Sequence, residues 1–233
     1  MSNRLPDFVD IDELRRHRPF LELLKNRLPE IVSIDIETDA RGKDLLTNER
    51  LLAVGVSRLI DNKPNTKFFI AEKTNDNEEK RVLKMFSSYV EKVKPIALVG
   101  YGIRGYDIPL LVMKNSYYFR RKEARSESGG GGPKKVDTRA LRDTLNCTLL
   151  IDLGPYFRYK RFKELLNELK GDVGWIKVPK YYGEVEGKDK AANIFQMWRR
   201  DRDEFKKYLR LDVENSLYLF RWLLSDDVWA SIR

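Results

Sequence analysis

The stretch I-V-S-I-D-I-E, residues 31–37, decides the fold that this sequence predicts. Its isoleucines and its valine are β-branched, and such residues favour the extended backbone of a strand. Side chains alternate between the two faces of a strand, so Asp35 and Glu37 point to one face. Val32, Ile34 and Ile36 point to the other, and the strand therefore has an acidic face and an apolar face.

Two further strand patterns follow this stretch along the chain. Residues 50–59 and 66–71 are rich in apolar residues, and Asp61, Asn62, Pro64 and Asn65 mark a turn between them. Short links between neighbouring strands predict antiparallel pairing, so the first three strands are expected to form a meander.

Helices and strands alternate in the remainder of the sequence. Helices are predicted at 77–93, from 107 onwards, at about 160–170 and at 202–224, and strands at 96–101 and 148–153. The resulting order, β-β-β-α-β-α-β-α, predicts an α/β fold with helices on both faces of a mixed sheet, in which parallel strands extend the three-stranded antiparallel meander. This is the order of the ribonuclease H-like fold.

Two segments stand apart from that order. Residues 1–30 form a predicted N-terminal helical extension before the main domain at 31–233, and Pro19 is expected to break or kink its helix. The helix either packs on the sheet or binds a partner. Residues 119–147 contain four consecutive glycines and many basic residues, which predicts a basic, glycine-rich insertion in the main domain.

Composition limits the classes of function. A net charge of +9 favours a polyanionic partner, because lysine and arginine that neutralise phosphates release counterions, although solubility alone is the alternative. One cysteine, Cys147, and one histidine, His17, exclude a disulfide framework and a thiolate-based structural zinc site. The sequence has no apolar run of about 18 residues and no secretory signal pattern, so a cytoplasmic protein with no membrane partner is expected.

Two later motifs add carboxylates to those of the first strand. G-Y-D-I-P-L-L at 105–111 places Asp107 after a strand, where sites of α/β sheets collect, although an aspartate there is also an ordinary helix N-cap. Y-L-R-L-D at 208–212 places Tyr208 and Asp212 on one helix face. The alternative for that pair is a core aromatic residue beside a surface aspartate.

Together these carboxylates predict a metal site. Acids on the first strand, at a strand-to-helix turn and on a late helix can converge across a mixed sheet. Carboxylate oxygens are the ligands that Mg²⁺ and Mn²⁺ prefer. Two such ions about 3.5–4 Å apart stabilise the attacking and leaving oxygens of a phosphodiester displacement. Two divalent cations, Mg²⁺ or Mn²⁺, are therefore the expected cofactors.

The three motifs, beginning with D-I-E-T at 35–38, resemble the exonuclease motifs of the DnaQ-like, or DEDD, superfamily. The tyrosine four residues before the last aspartate resembles the DEDDy branch, which includes RNase D and the proofreading domains of family B DNA polymerases. The resemblance spans about 31–224. It implies metal ligands and a water-positioning residue at Asp35, Glu37, Asp107, Asp212 and Tyr208.

The sequence departs from that family pattern at one position of the second motif. Gly102 stands where the motif often carries asparagine, which puts one hydrogen bond in doubt but leaves the metal site unaffected. His17 lies outside every motif, so a histidine general base is not expected. Nothing in the sequence resembles the helical nucleic-acid-binding domain that follows the nuclease in RNase D.

Basic and aromatic residues predict where nucleic acid binds. Y-F-R-Y-K-R-F-K at 156–163 interleaves the two types, and basic grooves with aromatic platforms suit single strands, at about 1–3 kcal/mol per stacked base. A solvated loop and an amphipathic helix start are the alternatives. The candidate substrate-binding residues are Thr38, Tyr106, Arg120, Arg121, Lys134, Lys135, Arg158 and Lys160.

The resemblance implies a 3′–5′ exonuclease that acts on single-stranded or frayed 3′ ends of DNA and releases nucleoside monophosphates. DNA is favoured over RNA, and a protein partner in replication or repair is expected. An RNA-directed exoribonuclease, a structure-specific endonuclease and a non-catalytic nucleic-acid-binding subunit are the alternatives.

Overall fold

One mixed sheet organises the part of the chain that the structure describes. The computed structural model describes residues 5–41, 48–123, 141, 145, 147–170, 176 and 190–232, with the backbone alone at 119–123 and at Lys190. The strands are β1 (Ile31–Asp39), β2 (Arg50–Ile60), β3 (Lys63–Ile70), β4 (Ala97–Gly100) and β5 (Leu149–Asp152).

The strand order is β3-β2-β1-β4-β5. β2 runs antiparallel to both β1 and β3, whereas β4 runs parallel to both β1 and β5. The predicted α/β class is therefore confirmed, with its antiparallel meander and its parallel extension.

Helices flank both faces of the sheet. They are α1 (Ile11–Lys25), α2 (Asp76–Val93), α3 (Asp107–Glu123), α4 (Phe162–Leu169), α5 (Lys190–Arg200), α6 (Arg202–Leu223) and α7 (Asp226–Ser231). Short 3₁₀ turns lie at Leu28–Glu30 and Pro155–Phe157. The sequence analysis did not predict α5, although Ile194, Phe195 and Trp198 recur in it at helical spacing and are buried.

Local chemistry sets several helix starts. The side chains of Asn75 and Asp201 accept hydrogen bonds from the backbone at Glu78 and Glu204, which caps α2 and α6.

The predicted break at Pro19 is wrong, because α1 runs through it to Lys25.

Burial of one helix face explains the continuity of α1. Leu14, Leu21 and Leu24 lie in the same hydrophobic cluster as Ile31 at the start of β1. That packing offsets the hydrogen bond that proline cannot donate. α1 therefore packs on the body of the fold through its leucines.

The two faces of β1 have different neighbours. Ile34 and Ile36 lie in a cluster with the apolar side chains of α2 and α3. On the opposite face, the Ser33 hydroxyl donates a hydrogen bond of 2.7 Å to the Val213 carbonyl on α6. The alternation predicted from sequence is confirmed, and it turns the acidic face of β1 toward α6.

Of the helices that the structure describes, none combines the length and the apolar character that a membrane crossing requires.

Candidate metal centre

Three acidic side chains from two elements meet on the α6 face of the sheet. Asp35 and Glu37 of β1 and Asp212 of α6 each offer one carboxylate oxygen, and these three atoms lie within 4.8 Å of one another. Glu37 and Asp212 are buried, and Asp35 is half-buried. Like charges at this separation repel one another, and a bound cation would offset that repulsion.

The partner strand leaves room for these acids. Asp35 pairs with Gly55 and Glu37 pairs with Ala53, so small residues of β2 stand beside each carboxylate. The register shifts between Glu37 and Thr38. Such an irregularity redirects side chains at a strand end, and it lies immediately after the second acid.

Hydrogen bonds to strand residues hold α6 over this face. Besides the bond from Ser33, the Thr66 hydroxyl of β3 donates to Glu214 Oε1 at 2.6 Å. The two bonds reach residues that follow Asp212 on α6. The position of the third carboxylate is therefore fixed by contacts from both β1 and β3.

A fourth acid, Asp107, reaches the same strand end from the first turn of α3. Its Oδ1 accepts a hydrogen bond of 3.0 Å from the backbone N–H of Ile36, which lies between the two acids of β1. The carboxylate thus contacts the neighbouring strand, beyond what an N-cap of its own helix requires. Sequence-distant carboxylates therefore gather at the carboxyl end of β1.

The electrostatics of the buried acids favour a cation. Burial raises the pKa of Asp212 well above its usual range, and the charges of Asp35, Glu37 and Asp107 raise it further. Burial is also the largest cause of the raised pKa of Asp107, and the charge of Asp35 raises that pKa further. Asp212 Oδ1 is buried and has no hydrogen-bond donor among the described residues.

The donor set fits a hard divalent cation. A buried carboxylate oxygen without a donor is costly, and a metal ion supplies the missing partner. The acids of the cluster offer oxygen ligands, which Mg²⁺ and Mn²⁺ prefer. Asp35, Glu37 and Asp212 are therefore placed to hold such an ion together, and the role of Asp107 as a fourth ligand stays a prediction.

Tyr208 lies one helical turn before Asp212 on α6. Its side chain is almost entirely buried and packs in a cluster with Leu52, Phe205 and Leu209. Such burial is typical of an aromatic residue of the core. The four-residue spacing also places Tyr208 on the same helix face as Asp212. Its role in positioning water stays a prediction.

A buried glutamate that the sequence analysis missed engages Thr38 and Tyr106. The Thr38 hydroxyl donates to Glu49 Oε2 at 2.8 Å, and the Tyr106 hydroxyl donates to the same oxygen. Thr38 follows Glu37 and Tyr106 precedes Asp107, so Glu49 ties together the segments that carry these two acids. An isolated glutamate before a strand has no periodic signal that could have revealed it.

The ammonium group of Lys114 secures this arrangement from α3. Lys114 Nζ donates to the Glu49 carbonyl at 2.5 Å and pairs with Glu79 at 3.1 Å. The hydroxyls of Thr38 and Tyr106 thus belong to a buried internal network. Their contact with substrate stays a prediction.

Asp152 at the end of β5 fixes the turn that precedes Asp107. Its Oδ1 accepts from the N–H groups of Gly102 and Gly154, at 2.8 and 2.9 Å, and its Oδ2 accepts from Arg104 at 3.2 Å. Gly102 has φ of 76°, a left-handed conformation that glycine adopts without strain. This conformation gives a structural reason for glycine at this position of the turn.

Some of the predicted nucleic-acid contacts lie within the described residues, and others lie outside them. Arg158 is exposed, and Lys160 Nζ pairs with Glu168 at 2.8 Å. The expectation of aromatic platforms is wrong for Tyr156 and Phe157, which are buried in the core because they follow β5 into the protein. The side chains of Arg120 and Arg121, and Lys134 and Lys135 altogether, lie outside the described residues.

Comparisons with known proteins do not identify a family for this chain. Neither a scan against protein-family models nor a search of curated proteins gives a significant match. A functional assignment therefore rests on the residues described above.

Proposed function

We propose that this chain is a metal-dependent 3′–5′ exonuclease of the DnaQ-like type, with a ribonuclease H-like fold, that hydrolyses phosphodiester bonds of DNA. One observation carries the proposal: carboxylates from β1, α3 and α6 gather at a single strand end, and three of their oxygens lie within 4.8 Å of one another. Acids this close and this buried are destabilising without a counter-charge. Metal binding gives them a physical reason to be there.

The order of the elements supports the same proposal. A three-stranded antiparallel meander extended by parallel strands, with helices on both faces, fits a ribonuclease H-like topology. The acids lie at the carboxyl end of β1, close to where the chain leaves β4 for α3. The carboxyl ends of the strands are where α/β sheets usually carry their sites.

Divalent cations bound there would stabilise the attacking and departing oxygens of an in-line displacement. The protein's own residues then have simpler tasks. Asp35, Glu37, Asp107 and Asp212 hold the ions, and the Tyr208 phenol orients the attacking water. That role is orientation rather than proton abstraction.

The direction of hydrolysis and the preference for 3′ ends come from the resemblance of the three motifs to DEDDy exonucleases. The preference for DNA over RNA has the same source. The +9 net charge supports a nucleic-acid substrate of either kind, because basic side chains neutralise phosphates.

Digestion of 5′-labelled oligonucleotides tests the proposal. Single-stranded DNA, duplex DNA and RNA are each incubated with Mg²⁺, with Mn²⁺ or with a chelator. We expect DNA products that shorten from the 3′ end in the presence of metal, together with released nucleoside monophosphates. Asp35→Ala should abolish them, whereas Glu22→Ala, a matched change at an exposed acid of α1, should have no effect.

Each other outcome contradicts part of the proposal. Internal fragments would indicate an endonuclease, and shortening of RNA alone would indicate an exoribonuclease. Metal-independent binding of nucleic acid without cleavage would indicate an accessory subunit. If the protein neither binds nor cleaves any of these nucleic acids, the assignment to nucleic-acid chemistry is overturned.

A further inference from the structure

The turn after β5 holds two non-glycine residues in the left-handed conformation. Arg158 has φ of 50° and Tyr159 has φ of 53°, and Lys160 N donates across them to the Phe157 carbonyl at 2.9 Å. Each such residue costs roughly 1–2 kcal/mol relative to an ordinary backbone conformation. Turns of this kind favour asparagine and glycine, so an arginine and a tyrosine here are unfavourable for stability alone.

This strained turn displays the Tyr159 side chain to solvent. Tyr159 is 72% exposed as a residue, whereas Tyr156 and Phe157, shortly before it in the chain, are buried. Its ring nevertheless lies against the backbone, since a Cβ added at Gly154 would stand 2.9 Å from Tyr159 Cδ1. The backbone N–H of Tyr159 also donates to the Gly154 carbonyl at 2.8 Å. The ring is therefore supported by the backbone at Gly154 and open to solvent.

The turn lies at the carboxyl ends of the parallel strands, as the metal centre does. β1, β4 and β5 are parallel neighbours, so their carboxyl ends face one way, and adjacent strands are about 4.8 Å apart. Asp152, at the end of β5, accepts hydrogen bonds from Gly154, beneath the Tyr159 ring, and from Gly102, in the turn that leads to Asp107. One buried carboxylate thus connects the support of the ring to the segment that carries a metal-binding acid.

We infer that Tyr159 is a stacking platform for a base of single-stranded nucleic acid bound across the metal centre. The inference rests on the proposed function and names a further subsite for its substrate. Base–aromatic stacking contributes about 1–3 kcal/mol per base and tolerates any sequence, because every base has a π-face. Arg158, which is exposed and immediately precedes Tyr159, adds a positive charge for the phosphate backbone.

Equilibrium binding without cleavage tests the platform directly. The binding of the 233-residue chain to a fluorescently labelled single-stranded DNA is measured by anisotropy in the presence of a chelator, for wild type, Tyr159→Ala and Tyr159→Phe. Tyr159→Ala is expected to raise Kd about 10-fold, within the range of one stacked base. Tyr159→Phe keeps the ring and is expected to stay close to wild type. Leu23→Ala is the matched control, because Leu23 of α1 is 73% exposed and lies on another element.

A second substrate separates stacking from a general loss of affinity. An oligonucleotide with abasic nucleotides at its 3′ end keeps its phosphates but offers no base there. On this substrate wild type and Tyr159→Ala are expected to bind equally, because the ring has no base to contact. An unchanged 10-fold difference would indicate a contact other than stacking and would overturn the inference.

The two proposals fail in distinguishable ways. If Tyr159→Ala binds intact DNA as tightly as wild type while Asp35→Ala abolishes wild-type cleavage, the platform is wrong and the nuclease assignment stands. If wild type neither binds nor cleaves any of the nucleic acids, the nuclease assignment fails and the platform fails with it.

Discussion

Gly55 of β2 lies directly against Leu209 of α6: a Cβ added at Gly55 would stand only 2.7 Å from Leu209 Cγ. Gly55 pairs with Asp35 in the sheet, and Leu209 precedes Asp212 by three residues on its helix. The close approach of helix and strand at this point therefore brings the carboxylates of Asp35 and Asp212 together.

Gly55→Ala should push α6 away from the sheet and weaken the metal site. We expect a loss of about 1–3 kcal/mol in the free energy of unfolding, as for other overpacked interiors, and weaker binding of Mn²⁺. Chemical denaturation and calorimetric titration measure the two effects. Gly105→Ala is the control for stability alone, because its added Cβ would meet only the Gly102 carbonyl oxygen, at 3.6 Å. Unchanged Mn²⁺ affinity in Gly55→Ala would show that the contact does not set the site.

The stability of the metal-free protein should depend on pH through the buried acids. The pKa of Asp107 and that of Asp212 are raised by burial, so the folded state binds protons more tightly than the unfolded state. The stability that these two acids contribute should therefore be greatest at low pH and should fall as the pH rises above 3.8, the ordinary pKa of aspartate. Melting temperatures in chelator from about pH 4 to about pH 8 measure this fall.

Asp212→Asn provides the comparison for that experiment. The amide has a similar shape but no charge, so the fall in melting temperature should become shallower, and the metal-free variant should be more stable than wild type at neutral pH. Saturating Mg²⁺ or Mn²⁺ should stabilise wild type and not the variant. An identical pH profile in both proteins would argue against repulsion within the cluster.

Tyr208→Phe tests whether the tyrosine is more than a core residue. Loss of one positioning contact should slow single-turnover cleavage by about 10²-fold while substrate binding persists. Asp212→Ala should be more severe, on the order of 10³-fold or more, because it removes several kcal/mol of metal-based stabilisation. Full activity in Tyr208→Phe would leave Tyr208 as an aromatic residue of the core, where its burial already places it.

Glu49 should act as a positioning residue for the metal ligands. Glu49→Ala removes the acceptor that Thr38 and Tyr106 share, and we expect Mn²⁺ affinity to fall about 10- to 100-fold, as for other residues that orient metal ligands. Glu49→Gln keeps an acceptor oxygen and should recover part of the affinity. Glu22→Gln, an exposed acid of α1, is the control for the loss of a charge. Equal affinities in all four proteins would assign Glu49 to the fold alone.

The basic insertion should contribute affinity rather than chemistry. Neutralising Arg120, Arg121, Lys134 and Lys135 together should weaken DNA binding and flatten its salt dependence, because fewer counterions are released. The turnover rate at saturating DNA should change little. The measurement is Kd as a function of salt concentration. An unchanged Kd and an unchanged slope would exclude a role in binding.

The sequence by itself determined most elements of this fold, with α5 as an exception, and the identity of the clustered acids. Alternation of β-branched and polar residues predicted β1 with its acidic face, and the three motifs named Asp35, Glu37, Asp107 and Asp212. Such patterns are local, since the period of a strand or a helix depends on residues a few positions apart. Pro19 shows the limit of local rules, because the burial of distant leucines kept α1 intact.

Only the tertiary structure decided which residues meet. Glu49 binds Thr38 and Tyr106, and Tyr159 rests on Gly154, through contacts that no periodicity announces. A buried glutamate and a strained turn are unfavourable locally, and they persist only where the packing around them compensates. For that reason the acids were visible in the sequence, whereas their supports appeared only when the helices were placed on the sheet.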